Sequence, residues 1–188
     1  MKLILVRHGE TEENLAGILQ GHTPGTLSLS GVEQGKKLAQ RLKGEKIDAI
    51  YSSDLKRASD TTKIILLHHP EAKLEYCENL REGNGGSWTG KPTKDLDWNN
   101  RPADAETQNK MKERAQHFID KIVSEHPKDT VLVVGHAGFN RVMISRIINS
   151  EDPFKDMSDQ RNTAVNIFEI YEDKTHKVHC LNCTNHLK

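Results

Sequence analysis

The stretch Leu3-Ile4-Leu5-Val6-Arg7-His8-Gly9-Glu10 decides how this chain is interpreted, because an apolar run leads directly into a charged turn. Four consecutive apolar residues favour a buried strand, although periodicity alone does not separate such a run from a piece of buried helix. At the carboxyl end of a parallel strand, Arg7 and His8 would face the crevice where open α/β sheets bind ligands. Arginine offers a fork of donors for phosphate, and imidazole can act as a nucleophile. The stretch therefore indicates phosphoryl chemistry, with a basic strand end carrying a surface histidine as the alternative.

The composition is that of a globular protein able to bury a core, with 188 residues, 35% hydrophobic and 29% charged. We expect one domain over residues 1–188. The 27 basic residues equal the 27 acidic ones, which argues against a nucleic-acid or membrane partner. No stretch is long enough to cross a membrane, and no signal peptide is apparent. Three cysteines do not form a disulfide framework, so a cytoplasmic location is the default expectation.

Apolar runs alternate with amphipathic stretches, the pattern of βαβ units around a largely parallel sheet. Strands are predicted at 2–6, 49–51, 73–76, 130–134 and 164–171. Helices are predicted at 30–42 with Ser30 as N-cap, at about 54–67, at 106–124 and after Gly138. The expected fold class is α/β, a three-layer αβα arrangement whose mostly parallel central sheet is flanked by helices.

Residues of about 83–103 have little helical or strand periodicity and contain both tryptophans, Trp88 and Trp98. A long irregular connection inside a compact domain is usually functional. A poorly ordered surface loop is the alternative, but two tryptophans are costly to leave in water. We therefore predict a lid-like insertion over a site.

Two further strand ends carry residues suited to phosphate. The strand at 130–134 continues into Gly135-His136-Ala137-Gly138, where small residues and a helix start favour close approach of an anion. The strand at 49–51 leads to Arg57 in the first turn of a helix. Taken alone, Arg57 is better explained as a salt-bridged surface arginine.

The order of these elements resembles the histidine phosphatase superfamily, in its first branch, named after phosphoglycerate mutase. The resemblance extends from Leu3 to His186-Leu187, and seven ordered motifs make coincidence very improbable. The matching motifs are Arg7-His8-Gly9-Glu10-Thr11, Asn14, Gln20-Gly21, Leu29-Ser30-Gly31-x-x-Gln34-Gly35, Ser52-Ser53-Asp54-Leu55-x-Arg57-Ala58, Leu80-Arg81-Glu82 and Gly135-His136-Ala137-Gly138.

The resemblance implies a role for each matching residue. His8 would attack phosphorus and become phosphohistidine, and Glu82 would donate a proton to the leaving group. Catalysis would also use Arg7, Arg57 and His136 to hold the phosphoryl group. Substrate-binding residues would be Arg7, Asn14, Gln20, Gly21, Arg57, Glu82, His136 and Ala137. Neither a cofactor nor a metal is implied, because two arginines and a histidine can neutralise the phosphoryl oxygens.

Two activities of this family compete. The loop from Leu80 to Gly90 resembles the phosphatase version, and mutases are typically longer, with a tyrosine-glycine pair close behind the acid. We expect a metal-independent phosphomonoesterase acting on small phosphorylated metabolites, with a cofactor-dependent phosphoglycerate mutase as the runner-up. An alpha-ribazole phosphatase is one specific substrate assignment, and sugar phosphates and phosphoproteins remain open. The tryptophans favour an apolar or ring-bearing leaving group.

Some positions depart from the family pattern or invite another function. Ile18 stands where arginine is frequent, which puts contact with the distal part of the substrate in doubt, and Ala137 replaces a common glycine. The cluster His176, His179, Cys180, Cys183 and His186 has spacing that zinc could use, but its end matches the metal-free tail of the family. A non-enzymatic phosphoprotein-binding module is disfavoured, because nucleophile, acid and phosphate clamp are all retained. A homodimer is compatible with the sequence, which does not determine the oligomeric state.

Overall fold

The computed structural model describes residues 1–173 and 175–188, and these form a six-stranded sheet in the order β3-β2-β4-β1-β5-β6. Strands β1 to β4 pair in parallel, whereas β5 runs antiparallel to β1 and β6 antiparallel to β5. The strands are β1 Lys2–Arg7, β2 Ala49–Ser52, β3 Lys73–Tyr76, β4 Thr130–Gly135, β5 Val165–Ile170 and β6 His176–Cys183. The predicted α/β fold with a mostly parallel sheet is confirmed.

Helices cover both faces of this sheet. They are α1 Glu12–Leu15, α2 Leu29–Leu42, α3 Lys56–Leu66, α4 Gln108–Glu125 and α5 Ala137–Ile147, with short 3₁₀ turns at Glu78–Leu80, Gly86–Trp88, Thr93–Asp95 and Asn185–Leu187. Successive side chains of a strand point to opposite faces. Leu3 and Leu5 of β1 accordingly pack with α4 and α5, whereas Ile4 and Val6 pack with α2 and α3. A three-layer architecture results.

Three predicted helix starts differ from the structure by one or two residues. Helix α4 begins at Gln108, with Thr107 as its N-cap, rather than at 106. Helix α2 is capped by Ser28 rather than Ser30, because Ser28 has an extended backbone and its side chain accepts a hydrogen bond from Gly31 N. Helix α3 begins at Lys56 rather than near Asp54, whose carboxylate instead accepts a 2.8 Å hydrogen bond from Arg81 Nε.

Two elements were not predicted at all. Helix α1 has only four residues, too few for a periodic pattern. Strand β6 lies at the edge of the sheet and has no fully buried residue. Its apolar residues, among them Val178 and Leu181, are divided between the two faces, so it lacks the regular apolar alternation that marks a half-buried strand.

The segment 83–103 is anchored to the loop that follows α1. Leu19 N donates to Lys91 O at 2.9 Å, and Thr93 N donates to Gly17 O at 2.8 Å. Trp88 is 8% exposed, but Trp98 is 54% exposed and packs edge-on against Trp88, with ring centroids 5.4 Å apart. The expectation that neither tryptophan is left in water is therefore wrong for Trp98, because its contact with Trp88 leaves about half of the side chain exposed. The lid-like role stays a prediction.

Candidate active site

The candidate site forms where the carboxyl ends of β1, β4 and β2 lie side by side. Arg7 is paired with Gly135 across β1 and β4, and Ser52 with Val134 across β2 and β4. The residues that follow these strands, His8, His136 and Ser53, therefore emerge at one edge of the sheet. The rings of His8 and His136 are 5.2 Å apart between centroids. This edge brings together the strand ends that the sequence indicated.

His8 is held as a neutral ring with one defined tautomer. Its Nδ1 lies 2.6 Å from the carbonyl oxygen of Gly9. A carbonyl only accepts, so Nδ1 carries the proton and Nε2 keeps its lone pair. Burial, reinforced by the charges of Arg7 and Arg57, holds the pKa of His8 well below its usual range. At neutral pH the ring is therefore an uncharged base with Nε2 available for attack.

The two arginines are fixed by backbone carbonyls and keep spare donors. Arg7 Nη1 donates to Gln160 O at 2.7 Å, and Arg57 Nη2 donates to Gly21 O at 2.9 Å. In both side chains Nε is buried with no hydrogen-bond partner. Burial lowers the pKa of Arg57 to about 10, so the guanidinium remains charged at neutral pH. Buried donors without acceptors, on two cations beside His8, form a site for an anion.

Of the other predicted substrate-binding residues, Asn14 lies close to His8, and Gln20 stabilises the turn at Thr11. Asn162 Nδ2 donates to both His8 O, at 3.2 Å, and Asn14 Oδ1, at 3.3 Å. Gln20 Nε2 donates to Thr11 Oγ1 at 2.9 Å, so its amide is engaged in holding the turn. Gly21 supplies its carbonyl to Arg57, and Ala137 opens helix α5 directly after His136.

Glu82 binds the start of helix α5. Its Oε2 accepts from Gly138 N and its Oε1 from Phe139 N, each at 2.9 Å, and Oε1 also accepts from Gly83 N at 2.9 Å. Three backbone N–H groups thus fix the position and orientation of this carboxylate. The structure thus places Glu82 at the helix start beside His136.

A cavity of about 420 Å³ opens beside Glu82. Its walls include Arg81, Asn84 and His22, whose Nε2 donates to Glu82 O at 2.7 Å. Both ends of the segment 83–103 contribute to the lining, but neither tryptophan does. A larger cavity of about 510 Å³ is lined by Ile170, whose N–H bonds to Met1 O, so it lies at the opposite edge of the sheet. Of these two cavities the smaller one adjoins Glu82, although its lining does not include His8, Arg57 or His136.

The C-terminal histidines and cysteines are engaged in separate contacts. His179 Nε2 lies 3.2 Å from Glu169, His186 Nε2 bonds to Thr163 Oγ1 at 3.2 Å, and Arg41 donates to Cys183 Sγ at 3.5 Å. Within residues 1–173 and 175–188, no three His, Cys, Asp or Glu side chains are grouped so as to hold a metal ion.

Several residues of the site were not singled out from the sequence. Thr61 Oγ1 accepts from Gly9 N at 3.0 Å, and Ser53 Oγ lies 2.8 Å from His136 Nε2. Asn162 and Gln160 precede β5 and reach His8 and Arg7 from there. Ser53 belonged to a quoted motif, so a signal existed for it. Thr61, Asn162 and Gln160 carried none, because their partners are more than 50 residues away along the chain.

The fold and the site together define an α/β protein with a buried, cationic recess for a phosphoryl-sized anion. The model of the histidine phosphatase superfamily (branch 1) matches residues 3–184, and the chain belongs to this family. It is 30% identical over 162 residues to the adenosylcobalamin/alpha-ribazole phosphatase of Escherichia coli (strain K12), covering 79% of each chain. It is 31% identical to the metal-independent phosphoserine phosphatase of Arabidopsis thaliana, covering 92% of this chain and 78% of that one.

A solved structure has the same fold. The Bacillus stearothermophilus protein YhfR superposes with a TM-score of 0.91 and 26% identity, covering 100% of this chain and 99% of that one. The relatives are phosphatases, and they support a general phosphatase activity for this chain. None of the helices in the described part of the chain is long and apolar enough to cross a membrane.

The two buried rings predict how stability depends on pH. Burial is the main cause that holds the pKa of both His8 and His136 below the usual value of 6.5. Both rings are therefore neutral in the folded state and take up protons on unfolding, so the free energy of unfolding falls as pH decreases below about 6.5. Each ring contributes a slope of at most about 1.4 kcal/mol per pH unit.

Urea unfolding of the wild type and His8→Gln between pH 7.5 and 5.5 would check this, with a shallower slope expected for the variant. His117→Gln is the matched control, because His117 is exposed on α4. Equal slopes for wild type and His8→Gln would contradict the prediction.

Proposed function

We propose that this protein is a metal-independent phosphomonoesterase that hydrolyses small phosphorylated metabolites through a phosphohistidine on His8. The observation that carries the proposal is the neutral His8 ring, with Nδ1 bonded to Gly9 O and two arginines with spare buried donors beside it. Such a ring combines a free nucleophilic lone pair with charge stabilisation for the phosphoryl oxygens.

The proposed reaction has two steps. First, His8 Nε2 attacks phosphorus, the bond from phosphorus to the ester oxygen breaks, and that oxygen takes a proton from Glu82. Second, water attacks the phosphohistidine, gives a proton to Glu82, and releases inorganic phosphate together with the free ring. Arg7 and Arg57 neutralise the charge on the equatorial oxygens in both steps and His136 donates a hydrogen bond to them, a task that needs positioning and charge more than covalent chemistry.

Glu82 begins this cycle as an acceptor of backbone N–H groups. An arriving phosphate dianion disfavours a second negative charge nearby, so substrate binding promotes protonation of Glu82. The proton is then available only when there is a leaving group to receive it.

His8→Ala is expected to lower kcat by at least about 10³-fold, because no other group can form the covalent intermediate. Wild-type activity should be unchanged by EDTA. Brief mixing with a ³²P-labelled phosphomonoester should label the wild-type protein with an acid-labile, alkali-stable phosphate that His8→Ala lacks. His117→Ala is the control. Normal turnover by His8→Ala, or loss of wild-type activity in EDTA, would overturn the phosphohistidine mechanism.

The variant Glu82→Gln distinguishes the proton transfer to the leaving oxygen from the later proton transfer from water. An alkyl phosphate needs a proton on its leaving oxygen, and its hydrolysis should fall by about 10²- to 10³-fold. Para-nitrophenyl phosphate has a good leaving group, so the variant should release a rapid burst of one nitrophenolate per enzyme and then turn over slowly.

Glu10→Gln is the matched control for that experiment. Glu10 lies in the same turn as His8, but its carboxylate accepts from Ser28 Oγ at 2.8 Å and is assigned no proton transfer. If Glu82→Gln loses activity equally toward alkyl and aryl substrates and shows no burst, Glu82 is not the acid.

The cavity beside Glu82 favours a hydrophilic leaving group rather than an apolar or ring-bearing one. Of the cations that line it, Arg114 is ion-paired with Glu106 and Arg81 with Asp54. Lys110 makes no ion pair within the described residues and is exposed at the cavity wall. We therefore propose that Lys110 attracts a carboxylate on the substrate, which fits a relative named for phosphoserine.

Phosphoserine and phosphoethanolamine differ only in that carboxylate and so provide the comparison. Lys110→Ala should raise KM for phosphoserine about three- to tenfold, the range expected for a partly solvated charge pair, and leave phosphoethanolamine unchanged. Lys94→Ala, an exposed lysine of the same charge, is the control. A parallel change for both substrates would refute recognition of a carboxylate by Lys110.

A further inference from the structure

We propose that Ser53 is a positioning residue that fixes the tautomer of His136, so that His136 presents an Nδ1–H to the phosphoryl group. The role of this proton depends on the proposed phosphatase function, whereas the tautomer itself does not. Ser53 is the first residue after β2, where its N–H donates to Val134 O at 3.0 Å. That bond places the Ser53 side chain beside His136, the residue that follows β4.

The hydrogen bonds around Ser53 Oγ define the direction of its proton. The oxygen accepts from Leu55 N at 3.3 Å and lies 2.8 Å from His136 Nε2. If His136 donated through Nε2, the hydroxyl oxygen would accept twice and leave its own proton buried without an acceptor. If Ser53 donates to Nε2, both the Ser53 hydroxyl and the Nε2 of His136 have hydrogen-bond partners. We favour this arrangement because a buried group without its hydrogen bond is costly. Nε2 is then the acceptor, and the ring proton is on Nδ1.

The other ring nitrogen is the one left for a ligand. His136 is completely buried, and its Nδ1 has no hydrogen-bond partner in the described structure. The ring packs at a 58° angle against His8, at the edge where the spare donors of Arg7 and Arg57 are also buried. An Nδ1–H there adds a third donor for a phosphoryl oxygen, whereas an Nδ1 lone pair would repel it.

His136 must be neutral for its tautomer to matter. Burial is the main cause that holds the pKa of His136 well below its usual range, and the charges of Arg57 and Arg7 lower it further. A neutral imidazole donates from one nitrogen only, and the hydrogen bond at the other nitrogen decides which one.

Ser53 also connects His136 with Arg57. Helix α3 has Leu55 as its N-cap residue, and Leu55 has no side chain that can cap the helix. The Ser53 hydroxyl takes the N–H of Leu55 instead. One hydroxyl thus orders both the ring of His136 and the start of the helix that carries Arg57.

The test is ¹⁵N NMR of the ring nitrogens in the ligand-free protein at pH 7.5, with His136→Asn used only to assign the signals. The wild type should show Nδ1 protonated and Nε2 bare. In Ser53→Ala the Nε2–H form should become populated, because Nε2 has lost its donor. An Nε2–H tautomer in the wild type, or an unchanged tautomer in Ser53→Ala, would overturn the proposal.

Ser52→Ala is the matched control. Ser52 is equally buried on the same strand end, but its hydroxyl donates to Ser53 O at 2.9 Å and does not touch the imidazole. This variant should keep the Nδ1–H tautomer.

Orthovanadate, a phosphoryl analogue, provides a second measurement on the same variants. Its dissociation constant should rise about tenfold in Ser53→Ala and stay unchanged in Ser52→Ala, since one oriented hydrogen bond to an anion is lost. Equal affinities in both variants would refute the role of Ser53 in phosphoryl binding. Failure of the His8 mechanism would leave the NMR result intact, so the two proposals are separable.

Discussion

The proposed attack by His8 requires that the carbonyl of Gly9, 2.6 Å away, holds the Nδ1 proton, and the contacts around Gly9 keep that carbonyl in place. The Gly9 N–H donates to Thr61 Oγ1 at 3.0 Å, and Thr61 in turn donates to Arg57 O at 2.8 Å. On the other side, a Cβ at position 9 would lie 2.5 Å from Gly31 O, so only glycine allows this contact. Helices α2 and α3 therefore fix the backbone of Gly9, and the Gly9 carbonyl fixes the tautomer of His8.

The same arrangement has a cost in stability. Arg57 and two neutral histidines are buried at one sheet edge beside the half-buried Arg7, and three buried atoms there lack partners: Nε of Arg7, Nε of Arg57 and Nδ1 of His136. Each unmade buried hydrogen bond costs about 1 to 3 kcal/mol. An anion that accepts from these three atoms recovers this energy only on binding. Preorganised donors of this kind need little rearrangement when charge develops on the phosphoryl oxygens.

The sequence was sufficient for the sheet interior and for the residues at its carboxyl edge. Apolar runs ending in Arg7-His8 and Gly135-His136 predicted β1 and β4, because strands buried on both faces are continuously apolar. Strand β6 escaped prediction because it is an exposed edge strand, and helix α1 because its four residues are held mainly by caps. Thr61 and Asn162 could not be found from the sequence, since their function is to contact residues that only the fold brings near.

The placement of Glu82 could not be read from the sequence for the same reason, and it changes how its role is understood. Its carboxylate accepts hydrogen bonds from Gly138 N and Phe139 N at the start of α5, more than 50 positions away along the chain. These bonds hold the carboxylate beside His136, which immediately precedes α5. In the proposed reaction, the charge of the bound substrate disfavours a second negative charge at this helix start, because two anions there repel each other. Proton donation in that mechanism is thereby coupled to occupancy of the site beside His136.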